Sequence, residues 1–224
     1  MAALIFDLDG TLVDSVPDIH AAVNQMLAEH QAPPMDMPLV RSFIGHGVPP
    51  LIARVMAARD EDPADTARHA QWEASFLRHY NAAPAVRSQL FAGVLAALQT
   101  LSAAGHSLAL CTNKPVLPAR AILNGFGLAS LLPVVIGGDS LAVRKPDPLP
   151  LLAAADALGQ TPVVYIGDSE VDAEAAERAA IPLLLYTQGY RKQPIEALTH
   201  AAHFDHFDAL PALVARLIKT AATP

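Results

Sequence analysis

The sequence predicts an α/β protein, a doubly wound parallel sheet carrying an inserted all-helical module, and three observations support that prediction. Short apolar runs recur at residues 2–8, 107–111, 134–136, 163–166 and 183–186, each too brief for a helix. Helical spacing fills the intervals at 94–104, 117–126, 149–158 and 171–180, and the first three of these stop at Gly105, Gly127 and Gly159, where a helix C-terminus favours glycine. Residues 15–86 break the alternation, with helical patterns and no strand between them. Alternating strands and helices imply crossover connections and a parallel sheet covered on both faces.

Taken in order, the start Ala2-Ala3-Leu4-Ile5-Phe6 runs straight into Asp7 and Asp9, so it reads as a strand and not as a cleaved leader. The insertion shows helical patterns at 18–29, 38–44, 49–58 and 64–80, punctuated by Pro17, Pro33-Pro34, Gly45-His46-Gly47, Pro49-Pro50 and Pro84. Trp72 and Phe76, four apart, share one helix face and are expected to fill the insert's own core. Residues 208–219 look like a closing amphipathic helix. The expected division is a Rossmann-like core at 1–14 and 87–224 and a helical cap at 15–86.

Composition narrows the function. A hydrophobic content of 52% supplies a full core, while 17% charged residues and a net charge of −7 leave no basic stripe for a nucleic-acid backbone. An acidic protein that binds an anion must import positive charge locally, from a metal or a few placed side chains. The single cysteine, Cys111, excludes an internal disulfide and fits a reducing cytoplasm. It reads as a small buried side chain and not as a nucleophile. No apolar run approaches the about 20 residues that a membrane helix needs, so no membrane is expected as a partner.

The chemistry-bearing residues cluster at predicted strand ends, where open parallel sheets bind their ligands. Asp7-Leu8-Asp9-Gly10-Thr11 closes the first strand, and residues two apart share a face, so Asp7 and Asp9 are expected to reach into one space. Two carboxylates about 4 Å apart repel by roughly 4 kcal/mol at an effective dielectric of about 20, which calls for a cation or a shared proton. A hard, oxygen-binding metal such as Mg2+ meets that need. Gly167-Asp168-Ser169-Glu170-Val171-Asp172 repeats the pattern after another strand, with Asp168 as a further ligand and Asp172 orienting the site from behind; Asp and Ser here also suit a helix N-cap. Cys111-Thr112-Asn113-Lys114 offers a hydroxyl and main-chain amides to a phosphate oxygen. Lys145, set among Pro146, Pro148 and Pro150, can neutralise charge on a nucleophile and a phosphate.

Four strand ends carrying Asp/Asp, Thr, Lys and Asp in that order resemble the haloacid-dehalogenase-like superfamily of phosphohydrolases, and within it the phosphoglycolate phosphatases. The resemblance runs nearly end to end, including Val135-Ile136-Gly137-Gly138-Asp139, Gly189-Tyr190 and a helical insert directly after the first motif. It departs at Glu170-Val171, where many relatives have Arg and Asn. The resemblance implies that Asp7 attacks phosphorus to form an aspartyl-phosphate and that Asp9 acts first as acid and then as base. It further implies that Mg2+ is held by Asp7, Asp168 and the main-chain carbonyl of Asp9, and that Thr112, Asn113 and Lys145 grip the phosphoryl oxygens. Thr11, Ser169 and Asp172 would support these groups from outside. A cap loop at 41–47, with Arg41, Gly45 and His46, is the candidate for reading the rest of a small phosphate ester; Arg41 equally suits an exposed helix surface. Monomer and homodimer are both compatible.

Rival readings separate on particular residues. Lysine occurs only at 114, 145, 192 and 219, none of them in the insert, whereas relatives that cleave phosphonates or act as sugar-phosphate mutases place a lysine there. A mutase would also need a bisphosphate activator. Dehalogenases lack a carboxylate at the place of Asp9. A phospho-accepting receiver module is shorter, uncapped and takes phosphate after its third strand. The His203-Phe204-Asp205-His206 run falls short of a four-ligand zinc set and reads as ordinary edge residues.

Overall fold

The computed structural model describes residues 1–221. The core elements are β1 (Ala3–Phe6), β2 (Val13–Asp14), then, after the insert, β3 (Gln89–Leu90), α5 (Val94–Ala103), β4 (Ser107–Cys111), α6 (Val116–Gly125), β5 (Val134–Ile136), α7 (Leu149–Leu158), β6 (Val163–Gly167), α8 (Glu170–Arg178), β7 (Leu183–Tyr186), β8 (Ala202–Phe204) and α9 (Leu210–Ala221). The insert holds α1 (Val16–Glu29), α2 (Met37–Phe43), α3 (Val48–Ala57) and α4 (Thr66–Ala82).

Six strands form one parallel sheet in the order β5-β4-β1-β6-β7-β8. The two-residue alternation of a strand divides the apolar side chains between the two helical layers. Leu4, Phe6, Leu108, Leu110, Val164 and Ile166 join one buried cluster, whereas Ile5, Ala109, Cys111 and Tyr165 join the other. Strand order reverses at β1, which has β4 on one side and β6 on the other, so a crevice opens at the carboxyl ends of these three strands.

The expected strand at 2–8 ends at Phe6, because the chain then turns sharply: the amides of Thr11, Leu12 and Val13 all donate to the carbonyl of Leu8. Helix 117–126 lies one residue earlier, and the closing helix follows a 3-10 turn at Phe207–Ala209. Three strands escaped the sequence reading. β2 and β3 are two residues each and pair antiparallel where the chain leaves and re-enters the core. β8 is a three-residue edge strand that contains His203 and Phe204, and Phe204 is buried against Tyr186 and Phe207.

The insert has its own apolar cluster, which includes Val23, Met26, Ile52, Trp72 and Phe76. Asp36 and Asp65 cap α2 and α4 by accepting from the amides of Leu39 and Arg68, each at 3.0 Å. At its junction with the core, the buried carboxylate of Asp18 in α1 accepts from the amides of Arg87 and Ser88 and from the Ser88 hydroxyl, tying the outgoing segment to the returning one. No helix among the described residues is long and apolar enough to cross a membrane.

Candidate active site

Asp7 follows β1 with its amide still bonded to the carbonyl of Ile166 at 2.9 Å. Thr112 follows β4, Asp168 follows β6, and Lys145 comes from the loop after β5. Adjacent parallel strands thus bring together residues that are far apart in the chain. The turn after Asp9 needs Gly10 twice over: its φ is +89°, and a Cβ would lie 2.5 Å from Asp168 Oδ2 and 2.8 Å from the Tyr190 ring.

Lys145 is the electrostatic centre. Its Nζ, almost fully buried, meets Asp7 Oδ1 at 2.9 Å, Asp172 Oδ1 at 2.7 Å and the Tyr165 hydroxyl at 2.7 Å. The Tyr165 hydroxyl donates to Asp172 at 2.6 Å, and the other Asp172 oxygen accepts from the amides of Asp168 and Ser169 and from the Ser169 hydroxyl. Asp172 therefore does both things the sequence allowed, closing a capping box at the start of α8 and holding the lysine. Burial pushes the Asp172 carboxyl up, but Lys145 and these donors outweigh it and leave it below the usual range. Asp7 goes the other way: burial, only partly offset by Lys145, raises it to about 6. Asp168 is raised well above the usual value by burial and by the neighbouring charges of Asp172 and Asp7. Its own partners, the Thr11 hydroxyl and the Tyr190 amide, both at 2.6 Å, are neutral.

One oxygen from each of Asp7, Asp168 and Asp172 lies within 4.8 Å of the others. Of the three buried carboxylates only Asp7 and Asp172 meet the Lys145 ammonium, and the excess negative charge together with an all-oxygen donor set fits a hard divalent cation. Asp7 and Asp9 reach into one space but take different partners. Both line the same cleft, but Asp9 turns to Lys114 at 3.0 Å and accepts from the Ser15 hydroxyl at 2.5 Å. The repulsion that adjacent carboxylates would feel is relieved by a separate lysine for each. The Asp9 carboxylate lies outside the three-carboxylate group, so only its main-chain oxygen remains for a metal.

The cleft is walled on the insert side by Ile19, Ile44, Val48, Leu51 and Phe76 and also touches Gly45, His46, Thr112 and Asn113. The Asn113 side chain spans core and insert, donating to the carbonyls of Gly45 at 3.1 Å and Lys145 at 2.8 Å. Burial and the charge of Arg54 pull the His46 imidazole below its usual value. Arg41 is not part of the cleft lining. Its guanidinium donates to the Gly189 carbonyl at 2.7 Å and lies 5.0 Å from the centre of the Tyr190 ring, joining α2 to the core loop that holds Asp168.

Three contributors were not singled out in the sequence. Lys114 owes its place to Asp9 and to Tyr80 of α4, a residue from the insert. Ser15 lies at the boundary between core and insert. Tyr190 offers its amide to Asp168 and its hydroxyl to Asp14, and that hydroxyl accepts from the Ser15 amide. The Gly189-Tyr190 pair was the available signal. A Cβ at Gly189 would lie 2.2 Å from Asp168 Oδ2. Gly189→Ala is therefore expected to displace Asp168 and weaken the affinity of this carboxylate group for a divalent cation by about 10- to 100-fold, the usual effect of disturbing a ligand's support. Calorimetric titration checks it, and unchanged affinity would argue that Asp168 is no ligand.

Comparison with known proteins agrees with this geometry. Residues 1–180 match the profile of a family described as haloacid dehalogenase-like hydrolase. The chain is 50% identical over 218 residues to a phosphoglycolate phosphatase from Cereibacter sphaeroides (strain ATCC 17025 / ATH 2.4.3), covering 97% of this chain and 100% of that one. It is 43% identical to a phosphoglycolate phosphatase from Rhodobacter capsulatus, over 95% of this chain and 96% of the other. The crystal structure of a predicted phosphoglycolate phosphatase from Haemophilus somnus 129pt superposes with a TM-score of 0.89 at 30% identity, covering 96% of this chain and 98% of that one.

Proposed function

The chain belongs to the haloacid dehalogenase-like hydrolase family and is a phosphoric monoester hydrolase, and we propose that it hydrolyses 2-phosphoglycolate to glycolate and phosphate with Mg2+, through an aspartyl-phosphate on Asp7. The observation that carries this reading is the grouping of three buried carboxylates, Asp7, Asp168 and Asp172, with Lys145 bonded to Asp7 and Asp172, beside a cleft lined by Asp7, Asp9 and Asp168. The names of the relatives at 43% and 50% identity support the substrate.

Asp7 supplies the attacking carboxylate oxygen. Asp9, held by the Ser15 hydroxyl, gives its proton to the glycolate oxygen as the P–O bond breaks, then takes a proton from the water that attacks the aspartyl-phosphate. Thr112 and the main-chain amide of Asn113 hold the phosphoryl oxygens, while Lys145, expected to grip phosphate directly, has its three donors taken by Asp7, Asp172 and the Tyr165 hydroxyl and supplies positive charge from behind the nucleophile; phosphoryl transfer depends mainly on positioning and electrostatics. Asp7, Asp168 and the carbonyl of Asp9 would hold Mg2+, which when bound offsets charge on the nucleophile and the phosphoryl group. The insert acts as a cap whose apolar wall excludes bulk water.

The metal carries a joint prediction on activity and stability. In chelator, phosphate release from 2-phosphoglycolate should stop, and Mg2+ should restore it. Asp7 sits higher in the folded protein than in the unfolded chain, so the metal-free protein is expected to lose stability as pH rises through about 6. At pH 8, Mg2+ at about a hundred times its dissociation constant should add about 2.7 kcal/mol, raising the melting temperature by about 5–11 °C. Full turnover in chelator with no thermal shift on adding Mg2+ would remove the metal from the scheme.

A further inference from the structure

We infer that Lys114 receives a second anionic group of the substrate, so that the enzyme selects phosphate esters bearing a carboxylate one carbon from the ester oxygen. This deepens the proposed function and rests on it. Lys114 is buried at the junction of core and insert and lines the cleft. Its ammonium has three donors. One meets Asp9 Oδ1 at 3.0 Å and one the Tyr80 hydroxyl at 2.6 Å, with the Tyr80 ring centre 4.4 Å away. Among the described residues no third acceptor meets Nζ, so a substrate oxygen can take that donor without displacing either partner.

The surroundings give this donor its selectivity. The insert side of the cleft is apolar at Ile19, Val48, Leu51 and Phe76, and the insert's five arginines lie outside the cleft lining. Lys192, the other lysine at the cleft, is exposed. An anion entering against this apolar wall is desolvated unless a donor meets it, and Lys114 is the buried ammonium that lines the space. Asp9 marks where the ester oxygen must lie, because it protonates that oxygen. With Lys114 3.0 Å from Asp9, a carboxylate joined through one carbon falls within reach of the ammonium, whereas an uncharged group there gains nothing from it.

The test compares 2-phosphoglycolate with ethyl phosphate, which has the same chain length with a methyl in place of the carboxylate. The parent enzyme should favour 2-phosphoglycolate by at least about a hundredfold in kcat/KM, as expected when a buried polar group is left unpaired by the analogue. In Lys114→Met that ratio should collapse at least tenfold, and Lys114→Arg should recover part of it. If the parent turns over both esters equally, the inference is overturned without recourse to a variant, while the phosphatase reading stands. A ratio unchanged in folded Lys114→Met overturns it as well. No phosphate released by the parent from either ester or from p-nitrophenyl phosphate would remove the phosphatase reading and this inference together.

Discussion

Asp7→Asn is expected to yield a folded protein that releases phosphate at less than about one ten-thousandth of the parent rate, the scale on which enzymes lose turnover when their nucleophile is removed. The amide has nearly the shape of the carboxylate but cannot attack phosphorus. Folding should survive, because Lys145 keeps its bonds to Asp172 and Tyr165, both at 2.7 Å. At pH 8 without metal the variant should melt no lower than the parent, since the parent's Asp7, raised to about 6, is ionised there at a cost that Asn does not incur. Asp9→Asn gives the contrast. Loss of a proton-transfer group should cost about 10²- to 10⁴-fold, and because the proposed second half-reaction also uses Asp9, mass spectrometry should find phosphate retained on the protein. If Asp7→Asn kept more than about a hundredth of the parent rate, the covalent route would have to be abandoned.

What could be read in advance was what depends on neighbours in the chain. Acidic and hydroxyl residues at the ends of apolar runs pointed to one cleft, because in a parallel sheet every strand's carboxyl end faces the same edge. What escaped depends on distant partners or on very short elements. β8 has three residues and one buried side chain, too little for a periodicity. Nothing around Lys114 in the sequence reveals that Tyr80, 34 residues away, will hold it against Asp9. Arg41 was plausible as a substrate contact because its loop does reach the cleft through Gly45 and His46. The direction of one side chain, toward Gly189 and Tyr190, is set by packing between insert and core, which local pattern does not encode. Asp172 fills both roles open to it, because one oxygen holds Lys145 and the other closes the helix cap.

Lys145→Met removes the ammonium between Asp7 and Asp172 and leaves a methionine of similar length among buried carboxylates. Removing one partner of a buried ion pair typically costs about 3–5 kcal/mol, because the charge left behind is neither solvated nor paired. For a protein of this size that is a melting temperature lower by about 6–20 °C. In the parent, Asp172 sits below its unfolded value and stabilises the fold above that value, a contribution lost as pH falls through its folded value. In the variant neither Asp7 nor Asp172 has the cation, and burial raises both above their unfolded values. Each then stabilises the fold when protonated and loses that contribution as pH rises. The deficit should therefore be largest at pH 8 and shrink toward pH 5, and turnover should fall by about 10²- to 10³-fold with the loss of a preorganised positive charge beside Asp7. Thermal melts of parent and variant in chelator at both pH values decide the matter. A deficit of the same size at pH 5 and pH 8 would mean that Lys145 acts through packing and not as the counter-charge of the carboxylate cluster.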